Sequence, residues 1–231
     1  MVVSLLRTGA LAALLLVVSL SSASAQDGEP RPRVSIETGL GTLVVELYNE
    51  TPQHRDNFLK LAGEGFYDGT LFHRVIAGFM AQGGDPDSKE ATPGSRLGTG
   101  GPGYTIEAEI DPAFVHTKGA LAAARQGDPV NPQRRSSGSQ FYIVQGRDVS
   151  PQMLQGIVRT IGQSTGEPFA YTPEQIAAYG ELGGTPHLDM QYTVFGQVVE
   201  GLDVLDAICA AQTDRANRPA EDVRMTMTLL D

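Results

Sequence analysis

A single arginine lies within a half-apolar run at residues 71–86, LFHRVIAGFMAQGGDP. Gln82 and a Gly83-Gly84 turn follow Arg74 along this run. The other near neighbours of the arginine are apolar or aromatic: Phe72, Val75, Ile76, Phe79 and Met80. A guanidinium carries several N–H donors, and leaving them without partners among apolar groups is costly. The pattern therefore predicts an arginine whose donors have a defined partner beside an apolar surface.

Three other patterns that could carry chemistry are weaker. Ser139 would need a glycine two positions later to form a nucleophile elbow, and Phe141 stands there instead. The four histidines lack metal-ligand spacing, and no Cys/His cluster accompanies them. The glycine-rich segment at residues 98–103, GTGGPG, lacks the lysine and the strand–helix context of a phosphate loop. The sequence therefore predicts no hydrolytic nucleophile, no metal and no cofactor.

Three separate motifs resemble the signature sequences of cyclophilins, the peptidyl-prolyl cis/trans isomerases. Residues 72–85, FHRVIAGFMAQGGD, match the family pattern F-H-R-x-x-x-x-F-M-x-Q-G-G-D without a gap. Residues 137–143, SGSQFYI, are similar to the family's G-S-Q-F-F-I strand, and residues 185–196 resemble its W-L-D-G-x-H-x-V-F-G loop and strand. The resemblance covers about residues 34–231 apart from one insertion, so the chain is identified as a member of this family.

Two positions depart from the family pattern. His187 stands where many members carry Trp, and Tyr192 stands where many carry His. Both departures are common in members of bacterial appearance, and neither removes the pocket. They argue against tight binding of the cyclic peptide cyclosporin, which in the family relies on that Trp.

The resemblance implies an enzyme that stabilises a twisted X–Pro amide in Pro-containing polypeptides, without a cofactor. Three residues carry the implied catalysis: Arg74 donates to the amide nitrogen, Gln82 orients Arg74, and Phe79 holds the proline ring. The implied substrate-binding residues are Met80, Ala124, Arg125, Gln140, Tyr142, His187, Leu188 and Tyr192. In this assignment Ala124 and Arg125 belong to the edge segment that pairs with the residues before proline.

A second class of function is a non-catalytic chaperone module that binds Pro-containing segments without accelerating their isomerisation. Loss of the arginine or of the pocket aromatic would favour that class. Arg74 and Phe79 are both present in this chain. The motifs therefore favour the enzyme over the binding module.

Short strand-like runs separated by Gly/Pro turns dominate the chain. Residues 34–37 and 41–48 predict a hairpin, and further strands are predicted over residues 71–76, 79–82, 120–124, 140–144, 193–199 and 224–230. Thr51-Pro52 predicts an N-cap followed by proline at the first helical position, and residues 202–211 predict a second helix. Together with the resemblance, this predicts a mainly β fold: a closed eight-stranded antiparallel barrel with two capping helices.

The connection formed by residues 150–183 is about thirty residues longer than the corresponding connection of a minimal family member. Its sequence predicts an inserted helical segment and not a second domain. Thr172 to Gln175 have the pattern of a capping box and predict a helix start. The Gln, Ser and Gly residues between positions 152 and 166 predict a mobile first half. Because the insertion leads into residues 185–189 at the groove rim, we expect it to shape access for long clients and to contribute little to the chemistry.

The composition and the first residues predict an exported, acidic protein, and the sequence does not fix its oligomeric state, for which a monomer is the default expectation. Residues 1–25 combine Arg7, the apolar run LAALLLVVSL and Ala23-Ser24-Ala25, the pattern of a signal peptide. A Pro-rich tether at residues 26–33 follows, so we expect periplasmic or secreted protein without stable membrane insertion after cleavage. The formal net charge of −10 argues against binding nucleic acid or anionic lipid. The lone cysteine, Cys209, cannot form an internal disulfide.

Overall fold

The computed structural model of the chain describes residues 30–230. The predicted signal peptide at residues 1–25 and residues 26–29 of the predicted tether lie outside this described part. Arg33, the last residue of the predicted tether, already belongs to the first strand. No helix within residues 30–230 is both long enough and apolar enough to cross a bilayer.

The N-terminal hairpin forms as the sequence predicts. Strands β1 (Arg33–Thr38) and β2 (Gly41–Leu47) pair antiparallel, and alternate side chains on each strand point into the core. The Thr38 hydroxyl accepts a hydrogen bond from the Leu40 amide at 3.1 Å and donates one to the Gly41 carbonyl at 2.8 Å. This side chain therefore closes the turn that sets the register of the pair.

Eight antiparallel strands form one curled sheet. The remaining strands of this sheet are β3 (Arg74–Ile76), β4 (Met80–Gly83), β6 (Ala120–Ala123), β8 (Phe141–Val144), β9 (Val194–Glu200) and β10 (Met225–Leu230). Their spatial order is β10-β1-β2-β9-β6-β8-β4-β3. Two short strands, β5 (Thr105–Ile106) and β7 (Ser136–Ser137), form a separate small pair that the sequence did not predict.

The prediction of a closed barrel is wrong, because the hydrogen-bonded ladder stays open between β3 and β10. The two edges meet only upstream of β3, where Leu71 forms an isolated bridge with Arg224. The outer edge of β3 is covered by a loop, since the Val75 amide donates to the Asn217 carbonyl at 2.8 Å. A three-residue strand whose free edge already pairs with a loop has no room for another strand.

Two helices cover the apolar core of the curled sheet, as predicted. Helix α1 (Pro52–Gly63) contributes Phe58 and Leu61, and helix α4 (Leu202–Cys209) contributes Leu205 and Ile208; all four side chains are buried. The Phe58 ring contacts the Phe141 ring edge-on, with centroids 5.5 Å apart. Helix α4 ends two residues earlier than predicted, at Cys209.

The insertion contains two helices, so the chain has four helices within residues 30–230. Helix α3 (Pro173–Leu182) starts with the predicted capping box between Thr172 and Gln175. The first half of the insertion, which the sequence predicted to be mobile, forms helix α2 (Pro151–Thr165). The Ser150 hydroxyl caps this helix by accepting from the Met153 amide, and Leu154 and Ile161 are buried on one face of it. Tertiary packing thus outweighs the weak helix propensity of this segment.

Candidate active site

Strand register places Arg74, Gln82 and Tyr142 side by side across three strands. Arg74 lies opposite Gln82 in the β3–β4 pair, and Gln82 lies opposite Tyr142 in the β4–β8 pair. Directly opposed residues project from the same face of a sheet. The Gly78 turn that joins β3 to β4 has a positive φ of 71°, a conformation that favours glycine. A local hairpin therefore determines the relation between Arg74 and Gln82.

A chain of side-chain hydrogen bonds orients the Arg74 guanidinium. Arg74 Nη1 donates to Gln82 Oε1 at 3.1 Å, and Gln82 Nε2 donates to Gln140 Oε1 at 3.1 Å. Gln140 Nε2 in turn donates to the Gly100 carbonyl at 2.8 Å. Each side-chain amide accepts on its oxygen and donates from its nitrogen, so all three hydrogen bonds run in the same direction, from Arg74 towards the Gly100 carbonyl. The Arg74 guanidinium makes no further hydrogen bond within residues 30–230, which leaves its other donors for a bound group.

A pocket of about 100 Å³ lies beside this guanidinium. Its lining combines apolar side chains with two arginines: Arg74, Phe79, Met80, Gln82, Ala124, Arg125, Tyr142, Leu188 and Tyr192. Met80 and Tyr142 form its buried floor. A small apolar pocket next to an oriented cation suits a compact ring attached to a polar amide.

Two predicted site residues stand just outside this lining. Gln140 belongs to the hydrogen-bond chain from Arg74, and the His187 ring stacks on Phe79 with centroids 5.8 Å apart. Burial lowers the pKa of His187, so the ring is neutral near pH 7. The structure therefore brings all the sequence-predicted site residues to one face of the molecule.

In the edge segment at Ala124 and Arg125, the two residues differ in whether their backbone N–H and C=O groups are already hydrogen-bonded. The Ala124 amide donates to the Gln140 carbonyl at 2.9 Å, and its carbonyl accepts from the Ser137 amide at 2.8 Å. The backbone N–H and C=O of Arg125, in contrast, make no hydrogen bond within residues 30–230. A substrate strand would consequently pair with Arg125 and not with Ala124.

The Arg125 side chain covers the rim of the pocket. Its guanidinium carbon lies 4.6 Å from the centre of the Tyr192 ring, and Nε donates to the Gln191 carbonyl at 2.9 Å. Nη1 donates to Asp128 Oδ1 at 2.6 Å, and this hydrogen bond lowers the pKa of Asp128. The guanidinium is thus held over Tyr192, where it shields one wall of the pocket.

Sequence reasoning missed a buried polar network beneath the pocket. The Tyr142 hydroxyl lies 3.0 Å from His116 Nε2, and His116 Nδ1 lies 2.8 Å from Asp189 Oδ1. One signal was available: Tyr142 stands where the family motif has Phe, and a buried tyrosine hydroxyl normally requires a partner.

A second buried set has the order of a Ser–His–Glu triad. Ser136 Oγ lies 2.9 Å from His54 Nε2, and His54 Nδ1 lies 2.6 Å from Glu109 Oε2. Ser136 and His54 are each only 2% exposed, so no substrate carbonyl can reach the hydroxyl. The Glu109 carboxylate also accepts the amides of Gln53 and His54, at 3.1 and 3.0 Å. This set therefore caps helix α1, a role that the sequence assigned to Thr51, whose side chain makes no cap hydrogen bond.

We expect Glu109→Gln to destabilise the fold by about 1.5–3 kcal/mol at pH 7, the range for hydrogen bonds to a charged group. Burial alone would raise the pKa of Glu109, but hydrogen bonds from His54 and Gln53 outweigh it and hold the pKa below its ordinary 4.5. Since the folded-state pKa is the lower one, this stabilisation is complete above about pH 4.5 and is lost as the pH falls through the folded-state value.

Urea unfolding at pH 7 and pH 3 measures this effect. The difference between the wild type and Glu109→Gln should be large at pH 7 and smaller at pH 3. Glu107→Gln is the matched control, because that side chain is 71% exposed and pairs only with Arg135 at the surface. Equal effects of the two substitutions at pH 7 would contradict the capping role.

The described part of the chain offers no protein-only metal site. Within residues 30–230, no group of three or more His, Cys, Asp or Glu side chains is arranged to hold a metal ion.

The fold and the pocket define a cyclophilin-type architecture, and comparisons with known proteins agree. The sequence profile described as cyclophilin type peptidyl-prolyl cis-trans isomerase/CLD matches residues 33–229. A cyclophilin-type isomerase structure from Cryptosporidium parvum superposes with a TM-score of 0.61 at 24% identity, covering 87% of this chain and 98% of that one. A second structure of that protein, solved in the presence of the dipeptide Ala-Pro, gives 0.60 at 23% identity. At this level of identity the two structures support the fold alone.

Two bacterial relatives are similar in sequence. A Staphylococcus aureus (strain USA300) protein that bears the name peptidyl-prolyl cis-trans isomerase is 36% identical over 202 residues, covering 86% of this chain and 90% of its own length. A Streptococcus pyogenes serotype M6 protein, named as a bifunctional phosphatase/peptidyl-prolyl cis-trans isomerase, is 40% identical over 198 residues. The match covers 83% of this chain and 37% of that longer relative. The chain belongs to the cyclophilin-type peptidyl-prolyl cis-trans isomerases.

Proposed function

We propose that this isomerase accelerates X–Pro rotation in unfolded or flexible segments of exported proteins by stabilising the twisted amide. The observation that carries the proposal is the Arg74 guanidinium, oriented by Gln82 at the wall of a small apolar pocket. A proline ring of the substrate would fill the pocket between Phe79, Met80 and Tyr142. The amide nitrogen would then lie next to the guanidinium.

The chemistry requires no nucleophile and no proton transfer. Resonance makes the X–Pro barrier about 18–20 kcal/mol, and uncatalysed exchange takes roughly tens to hundreds of seconds. In the twisted state the nitrogen lone pair is localised and accepts a hydrogen bond, whereas in the planar states it does not. A donor held in place before the reaction therefore binds the transition state more tightly than either ground state. Arg74 is that donor.

A protease-coupled assay with a short Ala-Pro peptide tests the proposal on the purified chain. We expect isomerisation to accelerate with enzyme concentration and to be unaffected by chelator or by a thiol-blocking reagent. Cys209 is buried, and burial raises its pKa to about 12, so almost no reactive thiolate is present near neutral pH. Binding of the peptide without acceleration would instead identify a Pro-segment-binding chaperone module. A rate that collapses with chelator would contradict the mechanism.

Two further parts of the proposal concern where the enzyme acts and whether it is a monomer. The signal-peptide pattern of residues 1–25 supports action outside the cytoplasm, periplasmic or secreted, on Pro-containing polypeptides. The acidic composition supports a soluble monomer that binds neither nucleic acid nor membrane after cleavage. Fractionation of an expressing bacterium, N-terminal sequencing and sedimentation of the mature protein test these points. Uncleaved protein that stays in the cytoplasm would contradict export.

A further inference from the structure

The Asp189 side chain lies in the interior, immediately beneath the rim of the proline pocket. It is 2% exposed, and its carboxylate accepts four hydrogen bonds. The backbone N–H and Nδ1 of His116 lie 2.9 and 2.8 Å from Oδ1. The hydroxyls of Tyr171 and Tyr179 each lie 2.6 Å from Oδ2. Every acceptor position of this buried carboxylate is therefore used, and half of the donors come from the insertion.

The same carboxylate determines the orientation of the pocket floor through His116. With Nδ1–H donating to Asp189, the other ring nitrogen of a neutral His116 is an acceptor. The Tyr142 hydroxyl lies 3.0 Å from that nitrogen, and the two rings are nearly parallel. Burial raises the pKa of Tyr142 well above its ordinary value, so its hydroxyl keeps the proton that it donates. Tyr142 is thus held by a buried partner, whereas the rest of the pocket floor depends on packing alone.

The insertion is anchored at several points around His116. Gln175 Nε2 donates to the carbonyls of Pro112 and Ala113, at 2.8 and 3.2 Å. At the end of helix α3, the Thr185 amide donates to the His116 carbonyl at 2.8 Å. A Cβ on Gly184, between these two points, would collide with the His116 carbonyl and with the Tyr179 ring. The two tyrosines are consequently carried by a segment that is attached to residues 112–116 next to the network.

We propose that Tyr171 and Tyr179 of the insertion are positioning residues for the isomerase reaction, acting through Asp189 and His116 on Tyr142. This inference rests on the proposed function of the pocket. It differs from the expectation drawn from sequence, which gave the insertion a role in access for long clients and little part in the chemistry. The two roles can be distinguished by substrate length. A role in access would affect only long polypeptides, whereas a role in positioning Tyr142 would also affect the turnover of a short peptide.

The physical reason is that the buried Asp189 carboxylate would need new hydrogen-bond donors if the Tyr171 and Tyr179 hydroxyls were removed. Without the two hydroxyls, Oδ2 of Asp189 would have no partner in an interior site. The carboxylate would rotate or admit water, and the His116 ring would follow because it is bonded to the other oxygen. Tyr142 would then lose its defined position in the pocket. The proline ring would then shift relative to the Arg74 guanidinium, and a misplacement of about 1 Å can cost about 10²-fold in rate.

Tyr171→Phe and Tyr179→Phe remove the hydroxyls and keep the rings, so both variants should fold. We expect the double variant to lower kcat/KM for the Ala-Pro tetrapeptide by about 5–20-fold, below the about 10²-fold of a full displacement. Tyr142→Phe should cause a loss of similar size. In the Tyr142→Phe background, removing the two insertion hydroxyls should lower kcat/KM no further, because the link to the pocket is already broken.

Ile161→Ala is the control for general loosening of the insertion. Ile161 is buried on helix α2 but lies outside the apolar cluster that contains the two tyrosines. The Ile161→Ala substitution should lower thermal stability at least as much as the Tyr→Phe substitutions. It should leave kcat/KM unchanged at a temperature where all variants are folded. This readout separates positioning from a merely structural role.

Three results would overturn the inference. One is unchanged turnover in the Tyr171→Phe, Tyr179→Phe variant, and another is an undiminished loss in the Tyr142→Phe background. The third is an equal loss in Ile161→Ala, which would show that stability alone explains the effect. A wild-type chain without isomerase activity would overturn the proposed function and this inference together, whereas the three results above leave the proposed function intact.

Discussion

Arg74→Ala is expected to lower kcat/KM for an Ala-Pro tetrapeptide by about 10²–10³, the usual consequence of removing one pre-positioned donor from a transition state. The substitution removes the only guanidinium that Gln82 orients at the pocket wall. The side chain is partly exposed at the site and lies outside the apolar core, so the fold should remain intact. Protease-coupled kinetics together with thermal unfolding measure both quantities.

Arg74→Lys and Arg33→Ala are the controls for this result. Lysine restores the charge but not the planar fork that bonds to Gln82 and to the substrate at once, so most of the loss should persist. Arg33 pairs with Glu46 on the exposed face of the hairpin at 2.9 Å, and its removal should leave kcat/KM unchanged. Near-normal turnover of Arg74→Ala would show that the twisted amide is stabilised by another group.

Asp189→Ala is expected to destabilise the protein by about 3–5 kcal/mol, because several buried donors would be left unsatisfied at a cost of about 1–3 kcal/mol each. The substitution leaves the donors of His116, Tyr171 and Tyr179 without their shared acceptor. A natural domain has a free energy of unfolding of about 5–15 kcal/mol, so this loss would be a large fraction of the total. Urea unfolding followed by circular dichroism measures it directly.

Asp189→Asn should be milder than Asp189→Ala. The amide oxygen can accept from His116, and the amide nitrogen can donate to the oxygens of the Tyr171 and Tyr179 hydroxyls, which reverse their role. Asp56→Ala is the surface control, since Asp56 is 63% exposed and pairs with its neighbour Arg55. An effect of Asp189→Ala no larger than that of Asp56→Ala would show that the buried network contributes nothing measurable to stability.

Local sequence was sufficient for the elements that carry the site. Arg74 and Gln82 lie on one hairpin whose turn is set by Gly78, so their register follows from a few consecutive residues. The capping box at Thr172 and Gln175 is likewise a four-residue signal. The signature motifs and the family's edge segment assigned the remaining pocket residues, and the structure gathers them on one face.

Contacts between distant residues were decided by tertiary structure alone. Helix α1 is capped by Glu109, which lies 55 residues from His54 along the chain, and not by the adjacent Thr51. Helix α2 forms in a sequence rich in Gln, Ser and Gly because Leu154 and Ile161 are buried by the rest of the domain. Neither outcome is encoded in local propensity, since each depends on surfaces supplied by other elements.

The sequence by itself determined the family motifs, the arginine of the pocket with its glutamine partner, and the alternation of most strands. Only the tertiary structure decided the open edge between β3 and β10, and the network that joins Tyr142 to the insertion through His116 and Asp189. His116 and Asp189 are 73 residues apart along the chain and meet only because the whole sheet curls. A hydrogen bond between such distant groups depends on the register of every intervening strand, and no local pattern specifies that register.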